Sequence, residues 1–192
     1  MAEWTLAWEP AKAERSSEYA VDITPKGGNK EQRQLLADDS RRSLDMTFPY
    51  LSHNTIRAMR NFFDARHGSY ESFTIPFYDD PIKGTGLGCN ATAGTITDSG
   101  SQFSTFGFTA GETVAVLGSN IAGNDGYYVI AAGGVAAGTL TLVSEAFTDE
   151  ANNSNLKVYR CMTARFVERY FKELFDEIKS GNVRQIRVIE DL

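Results

Sequence analysis

Two histidines, two cysteines and a surplus of carboxylates are the groups in this chain from which chemistry could be built. His53 and His67 fall at the two ends of one predicted helix, so they cannot close on a small site together. Each reads as a solvated or capping side chain rather than a base or a ligand. Asp79-Asp80 and Asp149-Glu150 are neighbouring acids, and a glycosidase needs only two carboxylates at a suitable separation. Neighbouring acids in turns are also ordinary surface residues, and no Ser or Cys stands in a nucleophile-elbow context. Cys89 and Cys161 are too few for a disulfide scaffold and lie in no metal-ligand spacing. They are expected as two reduced, partly buried thiols; the alternative is a bridge, because they flank one acidic segment and would meet if its ends lie side by side. The glycines of 79–88 precede no helix and no Lys-Ser or Lys-Thr, which a phosphate-cradling loop requires. They predict a flexible joint. No catalytic residue, cofactor or metal is expected, and the chain is not expected to be an enzyme.

Composition narrows the remaining classes. The 192 residues carry 42% hydrophobic and 23% charged side chains, an ordinary globular balance for one or two domains. No apolar run approaches the roughly 20 residues that cross a bilayer, and the amino terminus lacks a basic start and an apolar core. Neither membrane insertion nor secretion by that route is expected. The net charge of −6 argues against a binder that neutralises phosphates with clustered Lys and Arg. Residues 90–157 hold Asp98, Glu112, Asp125, Glu145, Asp149 and Glu150 against Lys157 alone, so that they carry −5 and the remainder −1. Two different modules are implied.

The element around which the rest is arranged runs from Leu51 to Phe77. Ser52 is a predicted N-cap, Ile56, Met59 and Phe63 recur at helical spacing with Phe62 beside them, and Gly68 is the predicted left-handed stop. The period then changes to two through Phe73, Ile75 and Phe77, a strand whose proline, Pro76, belongs at an edge or an end. Upstream, residues 1–18 show no sustained period and read as an arm, its Trp4 and Trp8 either anchoring on a neighbour or packing on their own subunit. Tyr19, Val21 and Ile23 alternate into the turn Pro25-Lys-Gly-Gly28, which predicts a hairpin, and Leu44, Met46, Phe48 and Tyr50 predict a strand with one buried face. Between them lies a mixed-charge strip. Within it Lys30, Arg33, Asp38, Arg41 and Arg42 are either solvated or, in a ring, paired across subunits to set register.

Residues 90–157 predict strands at 95–97, 113–117, 127–130, 139–143 and 156–159, separated by Gly, Asn and Ser, which together describe a small barrel or sandwich. Tyr127 and Tyr128, with Phe106 and Phe108, either stack on a saccharide or fill the module's core. Removing this insert leaves 1–89 and 158–192 as one discontinuous domain. Near the carboxyl end, Phe166, Val167, Tyr170, Phe171, Leu174, Phe175 and Ile178 predict a helix that stops near Gly181, and Val183–Glu190 predicts a final strand. The fold class is mainly β (α+β), with one packed helix.

The run Asn61-Phe-Phe-Asp-Ala-Arg-His-Gly-Ser-Tyr-Glu-Ser-Phe73 resembles a segment of the minor tail and distal tail proteins of long-tailed bacteriophages, of the lambda-type and gene-transfer-agent kinds. The matching positions are Phe62, Phe63, Arg66, Gly68, Ser72 and Phe73, and the similarity spans roughly residues 19–80, including Gly27–Arg33. The resemblance implies a belt-like β-rich body that oligomerises as a ring, a homohexamer, between the tail tube protein and the baseplate hub protein at the virion tail tip, assembled in the bacterial cytoplasm. DNA and the tape-measure protein would pass through without specific binding. It also implies an extended hairpin where helical periodicity precedes Gly181. The alternative function places a host-surface glycan on the 90–157 insert, carried by a tail-anchoring body.

Overall fold

The computed structural model describes residues 1–18, 21–26, 30–35, 40–48, 51–84, 86–143, 147–151, 153–167 and 184–191, with backbone alone for 18, 21–26, 30–35, 122 and 184–185. In chain order the first elements are β1 (Ala2–Glu3), β2 (Lys12–Glu18), β3 (Val21–Lys26), β4 (Lys30–Leu35), β5 (Arg41–Phe48), α1 (His53–Ala65) and β6 (Phe73–Pro76). They are followed by β7 (Ile82–Lys83), β8 (Leu87–Asn90), β9 (Thr95–Asp98), β10 (Thr113–Leu117), β11 (Gly126–Ala136), β12 (Thr139–Leu142), β13 (Lys157–Phe166) and β14 (Arg184–Glu190). The protein is therefore mostly β, with a single α-helix among the described residues. It divides into two compact units, one of Met1–Glu9 with Phe73–Met162 and one of Pro10–Ser72 with Thr163–Leu192.

In the first unit an open antiparallel sheet runs β13-β10-β11-β12-β9-β8. β6 and β7 also join β13, and β1 pairs with β6 in parallel, Ala2 opposite Phe73. The five strands expected between 95 and 159 correspond to β9 to β13, with Val143 and Leu156 each one residue outside them. Alternation puts Val114 and Val116 of β10, Leu140 and Leu142 of β12, and Val158 of β13 into one buried cluster with Ile96, Phe103 and Ile130. Each such side chain contributes roughly 1.5–3 kcal/mol on burial. The expected joint at 79–88 instead contains β7 and the first half of β8. Its Gly88 is required by proximity rather than flexibility, since a Cβ there would lie 2.4 Å from the Glu150 carbonyl oxygen.

In the second unit β5 is paired on both sides, by β2 and by β14. Leu44 and Met46 sit opposite Val188 and Ile186, and all four are buried, which is the buried face expected for this strand. α1 begins where expected: the Ser52 hydroxyl accepts from the Thr55 amide at 3.1 Å. Its buried residues are Met59 and Phe63, and the Phe62 and Phe63 rings lie 6.2 and 5.0 Å from Phe166. β3 and β4 form the expected hairpin, Val21 opposite Leu35.

Two expectations are corrected. Residues 12–18 are a strand paired along its length with β5, not an arm, and Trp4 is 1% exposed, packed within the first unit. Their polar sequence hides the strand, whose partner β5 lies far along the chain. Phe166 closes β13 and so does not open a helix; Tyr170, Phe171, Leu174, Phe175, Ile178 and Gly181 lie outside the described residues. The final strand is present as β14, Arg184–Glu190. Cys89 and Cys161 are two free thiols, as expected, and the alternative bridge is not formed.

Candidate interaction surface

The turn between α1 and β6 is built from the residues singled out at 62–73. The Arg66 amide closes on the carbonyls of Phe62 and Phe63, the His67 amide donates to Asp64 and the Gly68 amide donates to Phe63 at 3.0 Å. Gly68 is left-handed at φ +66°, as expected of the stop, and His67 before it shares that region at φ +51°. Only glycine enters it without steric cost, so His67 must be held there. The clamp is Glu71, whose carboxylate meets Arg66 at 3.2 Å and His67 at 3.1 Å while its amide donates to the Arg66 carbonyl. Ser72 fixes the exit by donating to Asp191 at 2.5 Å. Phe63 and Phe73 are buried, Phe62 half-buried, and Tyr70 projects from the tip at 83% exposure.

Of the charged strip, Arg41 is exposed on β5 and Arg42 is tied within its own unit. The Arg42 guanidinium donates to both oxygens of Glu190, Nε to Oε2 at 2.8 Å, and its amide donates to Oε2. Arg187 forks onto Asp45 in the same way, at 2.7 and 3.0 Å. Lys30 and Arg33 stand on β4, where the backbone alone is described, and Asp38 lies outside the described residues. The hydrogen bond from Arg42 outweighs burial and holds the Glu190 carboxyl below the usual carboxylate range. With Arg42→Ala that carboxylate, 11% exposed, keeps its burial and loses its donors. The expected cost is about 1–3 kcal/mol, read as a lowered urea midpoint at neutral pH, and a variant within error of the parent would contradict the pairing.

Tyr127 and Tyr128 are both half-buried. The Tyr127 hydroxyl donates to the Trp4 carbonyl at 2.8 Å, and burial drives its pKa far above the ordinary phenol value. Tyr128 donates to the Asn124 carbonyl at 3.0 Å, packs its ring on Phe147 with centroids 4.6 Å apart, and is pushed up to about 12 by burial. Phe108 is buried and edge-on to Phe103.

Several of the groups from which chemistry could be built have partners of their own. His53 is exposed on the first turn of α1, and His67 faces Glu71. Asp149 accepts from the Ala91 amide at 2.7 Å. Glu150 is the centre of a polar node: Oε1 accepts from the Asn120 amide and Asn153 Nδ2, both at 2.8 Å, and Oε2 from the Ser119 hydroxyl and Asn124 Nδ2. Four donors fill its lone pairs, so it has none to offer a cation or a proton acceptor role. Burial pushes the Cys89 thiol up to about 12 and the Cys161 thiol well above its ordinary value, which disfavours the nucleophilic thiolate in both. Among the described residues no group of three or more His, Cys, Asp or Glu is placed to hold a metal, and no helix is long and apolar enough to cross a membrane.

Two features were not singled out from sequence. Tyr70 lay inside the motif run, but nothing in the spacing distinguishes a displayed aromatic from a packed one. The Glu150 node draws on Ser119, Asn120, Asn124 and Asn153, residues that read only as loop.

No family model matches the chain, and no curated protein is similar to it in sequence. Among solved structures the phage phi92 endosialidase is similar at 13% identity and a TM-score of 0.30, over 81% of this chain. The chain spans 19% of that protein's length.

Proposed function

We propose that this chain is a structural component of a long-tailed bacteriophage tail tip, a distal or minor tail protein whose copies close into a ring between the tail tube and the baseplate hub. The observation that carries this reading is the helix, left-handed stop and strand at Phe62–Phe73, whose residue pattern resembles that of such proteins. The same residues form a clamped turn rather than an incidental loop. The mechanism is assembly without turnover. β2 supports it: a seven-residue strand whose described pairing is with β5 alone. In this reading its outer edge meets a strand of the neighbouring copy, and a closed ring consumes such edges. In this reading the 90–157 segment is a small barrel or sandwich inserted into the ring-forming body of 1–89 and 158–192, and DNA passes the ring without a specific contact. A glycan contact through Tyr127 and Tyr128 lacks comparable support, because both hydroxyls are already engaged with main-chain carbonyls.

The test is the absolute mass in solution by light scattering, over a range of concentrations at low and high salt. A closed oligomer near six subunits is expected. A mass of one subunit at every concentration and salt would overturn the self-assembling ring.

A further inference from the structure

Tyr70 and Met1 are the most exposed large hydrophobic side chains among the described residues, and the turn that carries Tyr70 is stiff. It is fixed by the Glu71 clamp, the Ser72–Asp191 bond and the amide bonds that close α1. Holding His67 at positive φ costs roughly 1–2 kcal/mol, so the chain spends stability to keep this turn in shape. A rigid backbone presenting a tyrosine, with only two side-chain torsions left to freeze, is pre-organised for contact. α1, which leads into this turn, exposes Arg57, Arg60 and Asn61.

Charge divides by unit. Met1–Glu9 with Phe73–Met162 carries ten acidic and three basic residues, a net −7, whereas Pro10–Ser72 with Thr163–Leu192 carries fifteen and sixteen, a net +1; together they account for the −6 of the chain. Two first units brought face to face repel. A first unit facing a second unit does not.

We propose that Tyr70, with the exposed Arg57 side of α1, is one half of a head-to-tail contact whose other half is the acidic first unit of a second copy. This rests on the ring reading and names the surface that makes the ring. Unlike surfaces meeting in this way form a heterologous interface, the kind that closes into a ring when the rotation allows. Tyr70 supplies the anchoring burial, while the charge difference sets orientation and makes association salt-dependent.

The test measures self-association of the full chain by light scattering against concentration for the parent, Tyr70→Ala, Tyr70→Phe and Arg57→Glu, with thermal unfolding run in parallel to confirm folding. Tyr70→Ala is expected to weaken association roughly tenfold or more at an unchanged unfolding temperature, Tyr70→Phe to recover most of it, and Arg57→Glu to weaken it most at low salt. An oligomer as stable in Tyr70→Ala as in the parent overturns this contact and leaves the ring standing. A parent that is monomeric throughout overturns the ring and the contact together.

Discussion

Glu150→Ala is expected to cost about 3–5 kcal/mol, because it removes one acceptor group from four donors at once. Two of those donors cannot turn to water. Asn124 is 0% exposed and Asn153 is buried with it. Asn124 also ties Thr148 at both ends of its amide, and Asn153 donates to the Gly118 carbonyl. The loop at 118–125 and the strand-like contact of Glu150 with Cys89 therefore share one anchor. Glu150→Gln keeps the shape but turns an amide donor toward existing donors, so it is expected to fall between the parent and Glu150→Ala. Equal urea midpoints for parent and Glu150→Ala would show that the node contributes nothing.

The same carboxylate predicts an acid limb. Burial alone would raise its pKa, but the hydrogen bonds from Ser119, the Asn120 amide, Asn124 and Asn153 together hold it below the ordinary carboxylate value. A carboxyl whose folded pKa is depressed stabilises the fold above its unfolded value, about 4.3 for a glutamate, and loses that contribution as pH falls through the folded value. Glu190, held down by Arg42, acts in the same sense. Stability should therefore be level above pH ~5 and fall below ~4.3, and the fall should be shallower in Glu150→Gln than in the parent.

Where a segment's own side chains decide its structure, the sequence was readable. Met59 and Phe63 at helical spacing, Ser52 before them and Gly68 after them specify α1, and alternation of Leu44, Met46 and Phe48 specifies a strand with one buried face. The failures are places where a distant partner decides. β2 is polar apart from Ala13 and becomes a strand because β5 lies beside it, Ser16 opposite Ser43 with their hydroxyls 2.7 Å apart. Gly86 and Gly88 read as slack, yet each leaves room for a close neighbour, Ser99 and the Glu150 backbone. Gly118 is the sharpest instance: it is left-handed at φ +84°, and a Cβ would stand 2.3 Å from the Asn155 carbonyl oxygen. The candidate surface divides likewise. The frame of the 62–73 turn was legible as cap, stop and strand, but the Glu71 clamp and the display of Tyr70 depend on where the side chains point once the turn has closed.

Trp4→Ala tests whether the amino terminus belongs to its own subunit. The Trp4 ring is stacked on Phe73 at 6.0 Å and edge-on to Trp8 at 5.0 Å. Its amide donates to the Thr74 carbonyl at 2.8 Å, extending the β1–β6 pairing, and its carbonyl accepts from Tyr127. Truncating a fully buried tryptophan costs about 3–5 kcal/mol, the lost transfer energy plus the cavity left behind. At about 2–4 °C per kcal/mol for a chain of this size, the unfolding temperature should drop by roughly 6–20 °C. The measurement belongs at a concentration where the protein is monomeric, because there the two roles of the residue separate. A tryptophan that clasps a neighbour would leave the monomer's unfolding unchanged on truncation and weaken only assembly. One that seals the first unit must destabilise the monomer whether or not a ring ever forms, and the buried stack on Phe73 requires that second outcome.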